Sequence, residues 1–111
     1  MRVEVDIKET NVLVTVQGSI DLFSSGALKK ELSGLLEKGH NDFLFNLEGV
    51  DFVDSSGLGV LVGTFKQVRV GKGDVTLAGL RPAVKKIFEL TRLDQVFTIF
   101  DSVEDALAKA A

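Results

Sequence analysis

The sequence predicts an α/β fold: a mixed sheet of four to five strands, opened by an N-terminal β-hairpin and continued by strands that alternate with helices, about four helices in all. Three observations carry that expectation. Val3, Val5 and Ile7 alternate with charged residues at the two-residue period of a strand. Further along, apolar residues recur at three- and four-residue spacing, the period of an amphipathic helix. Between those stretches lie short β-branched or aromatic runs, and alternation of the two periods with short connections is what a layered α/β domain produces.

In chain order, the turn residues Glu9-Thr10-Asn11 separate the first strand from Val12-Leu13-Val14-Thr15-Val16, which completes the hairpin. Ala27, Leu28, Leu32, Leu35 and Leu36 then mark a helix, with Ser24 or Ser25 as its cap and Gly39 as its terminator. Phe43-Leu44-Phe45-Asn46-Leu47 is almost continuously apolar, as a central strand covered on both faces should be. A second helix runs from Ser55 through Leu58, Leu61, Val62, Phe65 and Val68 to Gly71-Lys72-Gly73, and Val75 to Ala78 reads as another strand. Pro82, the only proline, suits the first position of a third helix whose apolar face is Val84, Ile87, Phe88 and Leu90. Phe97 to Phe100 reads as a last strand. Ser102, with Asp105 three residues on, caps a final helix carrying Val103, Ala106, Leu107 and Ala110.

Composition narrows the function. At 111 residues, with 45% hydrophobic and 26% charged, the chain has the balance of one globular domain, and no linker or repeat divides residues 1–111. Only the last few residues are expected to fray. The formal charge is −3 and the 13 basic residues are scattered, so no nucleic-acid footprint is expected. With no cysteine and one histidine, neither disulfides nor a standard zinc site can be built, and no cofactor is expected. The longest charge-free apolar run, Gly57 to Phe65, is too short to span a bilayer, and the alternating N-terminus is unlike a secretory signal. No membrane association and a cytoplasmic location are the expectation.

Catalytic equipment is sparse. The single histidine, His40, stands where the first helix ends and where a donor suits exposed carbonyls. Gly57, Gly59 and Gly63 miss the dinucleotide fingerprint by one residue, and Gly63 is read as a close-packing glycine. Gly57 and Gly59 fall in the first helical turn, where bare backbone serves either packing or a closely approaching partner. The stretch Val50-Asp51-Phe52-Val53-Asp54-Ser55-Ser56-Gly57-Leu58-Gly59 puts an acid, two hydroxyls and a glycine at a helix start. Such residues are first of all caps, accepting hydrogen bonds from first-turn amides. The doubled serine exceeds what a cap needs, and a helix N-terminus holds a phosphate well because amides and dipole both favour an anion there. A reversible charge change on that terminus, with no enzymatic activity of its own, is the chemistry this inventory supports.

These residues carry a resemblance. Asp54-Ser55-Ser56-Gly57-Leu58-Gly59 is similar to the signature of the STAS-domain anti-sigma factor antagonists of bacteria. Gly18-Ser19-Ile20-Asp21 resembles the Gly-x-(Leu/Ile)-Asp element of that family, Asn46-Leu47-Glu48-Gly49-Val50 its strand before the switch, and Pro82 to Phe88 its third helix. The resemblance implies a STAS-like sheet and a partner switch. The unmodified form binds an anti-sigma factor that is also a serine kinase, which frees a sigma factor. Phosphorylation of Ser55 reverses the binding, and a metal-dependent serine phosphatase restores it. By the same resemblance Asp21 and Asp54 lie close to Ser55, and Ser56 and Gly57 support the switch; Leu58, Gly59 and the apolar Phe23 are the candidate partner contacts. Asp21 and Asp54 are equally readable as turn and cap acids, and Phe23 first as a hydrophobic staple onto the first helix. Ser19 and the apolar pair Leu22-Phe23 depart from the relatives' more polar pattern.

A phosphoserine adds about −1.5 to −2 charges near neutral pH. With a partner carboxylate about 6 Å away, that charge is repelled by roughly 1 to 6 kcal/mol, which needs no backbone change. Two other classes compete. A receiver-like domain would carry phosphate on Asp54, yet the first strand ends without the acidic pair such domains use. A non-catalytic STAS nucleotide-binding module or a stress-signalling scaffold component would share the fold without the switch.

Overall fold

The computed structural model describes residues 1–110. Strand β1 (Arg2–Ile7) pairs antiparallel with β2 (Val12–Ile20), closed by a turn in which the Lys8 amide donates to the Asn11 carbonyl at 2.8 Å. Strands β3 (Asp42–Val53), β4 (Asp74–Ala78) and β5 (Thr98–Phe100) extend the sheet in parallel, in the order β1-β2-β3-β4-β5. The mixed sheet and its opening hairpin are those expected from the sequence. No helix among the described residues is long and apolar enough to cross a membrane.

Four α-helices cover the sheet: α1 (Ser25–Glu37), α2 (Ser55–Val70), α3 (Pro82–Leu90) and α4 (Val103–Ala110), with a 3-10 turn at Leu93–Gln95. Strand alternation sorts the apolar residues between two faces. Val12, Val14, Val16, Phe43, Phe45 and Leu47 meet Leu28, Leu32, Leu61, Val84 and Phe88 in the main core under α1, α2 and α3. Leu44 points the other way, to Ala78 and to Ala106 of α4. β3 is therefore covered on both faces, as its unbroken apolar run requires.

Local signals acted largely as the sequence suggested. Pro82 opens α3, and the Asp105 amide donates to the Ser102 hydroxyl at 3.1 Å to cap α4. Four expectations are corrected. Ser24 holds the N-cap position of α1 without capping, because its hydroxyl is engaged upstream. The end of α1 is closed by backbone rather than by the His40 ring: the Gly39 and His40 amides donate to the Leu36 and Leu35 carbonyls at 3.0 and 3.2 Å. Leu90 is 74% exposed, since the buried stripe of α3 is Val84 and Phe88, and a residue two further on points to the far side of a helix with 3.6 residues per turn. Gly63 packs against nothing: a methyl group there would find open space within 4 Å. The side chain of Ala110, assigned to the apolar face of α4, and the fraying expected at Ala111 lie outside the described residues.

Candidate functional site

The site is built at the carboxyl edge of two parallel strands. Ile20 and Val53, the last residues of β2 and β3, are register partners, so Asp21 and Asp54 emerge side by side. Ligands and partners of open α/β sheets meet this edge, where chain direction brings loops and helix starts together. Gly18 sets up the exit of β2. Its φ of 96° is open to glycine at little cost, and the strand register shifts between Gly18 and Ser19. Ile20 stays fully buried, with Asp21 next to it at the surface.

Asp54 is the N-cap of α2. Its Oδ1 accepts the Gly57 amide at 3.0 Å, and its Oδ2 accepts the Leu22 amide, also at 3.0 Å. One carboxylate thus caps the helix and ties the loop after β2 to it. Its own amide donates to the Ile20 carbonyl at 3.2 Å. Asp21 organises that loop from the other end: its Oδ1 accepts the Phe23 and Ser24 amides at 3.0 and 3.1 Å. The Ser24 hydroxyl accepts the Asp21 amide at 2.9 Å and donates to the Ser19 carbonyl at 2.7 Å. The turn-and-cap reading of both acids therefore holds, with Asp54 directly before Ser55 and Asp21 at the end of the neighbouring strand.

Ser55 is the first residue of α2 and is exposed. Its amide and that of Ser56 lie in the first turn, where no carbonyl of the same helix can reach them. Ser56 is half-buried and lines a groove of about 500 Å³ between α1 and α2, together with Gly59 and Gly63. Gly57 is buried because the helix start lies against the end of β2. A methyl group there would run into the Ile20 carbonyl and sit 2.8 Å from Ile20 Cγ2 and 3.0 Å from Val53 Cγ1. Leu58 is half-buried against the main core, whereas Gly59 is exposed with open space around it.

Phe23 is 93% exposed and no staple, because the turn fixed by Asp21 aims it away from α1. Leu22, next in the same loop, is 69% exposed, and Phe52 near the end of β3, opposite Ser19 in register, is 48% exposed. Sequence reasoning did not single out Leu22 and Phe52 as site residues, nor Asp51, whose Oδ1 accepts the Ser19 hydroxyl at 3.0 Å. An available signal was the acid-to-hydroxyl spacing of Asp21 and Ser24, which is that of a side-chain-clamped turn and turns the residues between them outward.

This arrangement, a five-stranded mixed sheet with an acid-capped helix opening on a serine at its carboxyl edge, defines a class, and comparison with known proteins agrees. The STAS domain matches residues 2–106, and the chain belongs to that family. Over 101 residues it is 37% identical to the protein named Anti-sigma-B factor antagonist from Bacillus subtilis (strain 168), covering 89% of this chain and 92% of that one. The crystal structure of an anti-sigma factor antagonist from Mycobacterium paratuberculosis superposes with a TM-score of 0.89 at 25% identity, covering 98% of this chain and 92% of that one. Bacillus SpoIIAA in its phosphorylated form shares the fold, with a TM-score of 0.79 at 20% identity over 99% of this chain and 100% of that one.

Proposed function

We propose that this chain is an anti-sigma factor antagonist that works as a partner switch. In its unmodified form it binds an anti-sigma factor that is also a serine kinase, and so frees a sigma factor. Phosphorylation of Ser55 ends that binding, and a metal-dependent serine phosphatase restores it. The observation that carries the reading is the exposed Ser55 hydroxyl on the first residue of α2, beside the acid that caps the helix. The 37% identity to a protein named for antagonism of an anti-sigma factor supports the same reading. On this reading the protein acts in the cytoplasm as a binding regulator, without catalytic residues of its own.

The physical step is local. Asp54 satisfies the Gly57 amide, which leaves the Ser55 and Ser56 amides and the positive end of the helix dipole to stabilise a phosphate on Ser55. A kinase that phosphorylates Ser55 must hold its nucleotide phosphates against that hydroxyl. Once Ser55 carries about −1.5 to −2 charges, those phosphates and the new one repel at close range, and the added volume blocks the contact. Ser56 and Gly57 shape the turn, while Leu58, Gly59 and Phe23 meet the partner. A receiver-like role for Asp54 is disfavoured because both its oxygens already accept backbone amides.

The test is binding to the anti-sigma factor by three forms of the chain. Wild type and Ser55→Ala should bind alike, and Ser55→Asp at least tenfold more weakly. Equal affinity of wild type and Ser55→Asp would sink the reading.

A further inference from the structure

We infer that the cavity between α4 and the sheet is a binding site for a small aliphatic α-amino acid. It lies toward the amino ends of the parallel strands, away from the edge that carries Ser55, and is independent of the partner switch. Its volume is about 210 Å³, below the usual range for drug-sized ligands and suited to a molecule the size of an amino acid. The floor is apolar: Leu44 of β3, Phe100 of β5 and Ala106 of α4. The walls are polar, with Asn11 in the turn before β2, Asp74 and Thr76 of β4, Thr98 of β5 and Lys109 of α4.

One atom in those walls is unsatisfied. Asn11 Oδ1 is shielded from solvent yet accepts no hydrogen bond from any described residue. Turn asparagines ordinarily bond to nearby backbone, and a buried acceptor without a donor is rare because it forfeits its hydration. The neighbouring acids are only half used. Asp74 Oδ1 accepts the Val75 amide at 2.9 Å, and Asp42 Oδ1, one strand nearer Asn11, accepts the Asp74 amide at 3.2 Å. No ion pair joins either acid, or Lys109, to a described residue.

These groups select the ligand. Asn11 Oδ1 calls for a donor and Asp74 for a cation, and one ammonium group supplies both. Lys109, on the helix side, takes a carboxylate, and the floor takes a short aliphatic side chain. A metal ion fits poorly, since no group of three or more His, Cys, Asp or Glu among the described residues could hold one. A phosphate fits poorly too: Asp42 and Asp74 outnumber Lys109, and Lys8 of the adjoining turn is held by Asp6 at 3.3 Å. The bound amino acid bridges α4 to the sheet, where the helix's own core is only Ala106 against Leu44 and Ala78, with half-buried Val103 and Leu107 beside it.

The experiment is NMR titration of the full chain with L-valine and L-leucine, each beside the amine and the acid that lack one of its two charged groups. At least one of the two amino acids should shift the Asn11 side-chain amide and the Ala106 methyl saturably. It should also raise the melting temperature, because a ligand that binds only the folded chain stabilises it. Its amine and acid analogues should bind at least tenfold more weakly. Asn11→Ala should weaken binding at least tenfold without lowering the melting temperature of the free protein, which a merely structural asparagine would not allow. Lys109→Ala should erase the preference for the amino acid over the amine. Absence of saturable shifts with both amino acids at about 10 mM, a concentration that would reveal even millimolar affinity, would overturn the inference. So would equal binding by wild type and Asn11→Ala, or an acid or amine analogue that binds as tightly as its amino acid.

Discussion

Replacing Asp54 by alanine tests the central joint of the site. The carboxylate accepts two backbone amides at 3.0 Å, one inside α2 and one in the loop after β2. Loss of an N-cap side chain costs about 1 kcal/mol, and loss of the second, charge-assisted hydrogen bond from the exposed Leu22 amide adds about 1.5, the low end for a charged acceptor. The sum, about 2.5 kcal/mol, is a sizeable part of the stability of a domain this small, since such domains are stable by about 5 to 15 kcal/mol. At about 4 °C per kcal/mol, Asp54→Ala should melt about 10 °C below wild type. Urea unfolding followed by circular dichroism measures the free energy, and the denaturant slope should stay constant because the same surface is exposed. Asp54→Asn, which keeps one acceptor oxygen, should recover about half of the loss. Amide exchange supplies the local readout, with Leu22 and Gly57 as the amides that lose most protection. A change under about 0.5 kcal/mol for Asp54→Ala, on the scale of an ordinary surface substitution, would refute the joint.

The remaining predictions concern the glycines of α2. Gly57→Ala should destabilise by about 3 kcal/mol in urea titration, because the new methyl group meets the Ile20 backbone carbonyl, which cannot rotate aside. Gly63→Ala should stabilise by about 0.5 to 1 kcal/mol, since its methyl group enters open space and alanine favours a helix interior. Gly59→Ala should stabilise to a similar degree yet weaken partner binding, and a calorimetric titration beside the melting curve separates the two effects.

The hairpin, the central strand and the helix faces were legible because periodicity reports burial, and burial determines where Phe43, Phe45, Leu28 and Val84 go. What sequence missed depends on three-dimensional direction. Leu22 read as an ordinary apolar residue before a helix and Phe23 first as a staple, and only the turn clamped by Asp21, Ser24 and Asp54 turns them to solvent. The glycines of α2 look alike in a string, yet one lies against β2 while Gly59 and Gly63 face open space, a difference of position around the helix and of what lies opposite. Ser24 and His40 stood at correct cap positions, but backbone groups and the turn claimed the hydrogen bonds that their side chains were expected to make. The candidate switch serine stood out because the stretch around it is contiguous, Asp54 to Gly59, and one helix start holds all of it.

The most direct measurement is to add ATP to the purified complex of this chain with its anti-sigma factor, follow dissociation, and locate the phosphate by mass spectrometry. The account predicts that dissociation and phosphate uptake proceed together, with one phosphate on Ser55, and that the Ser55→Ala complex stays intact. Release of the Ser55→Ala chain by ATP, or full phosphorylation of Ser55 in a complex that does not dissociate, would contradict it.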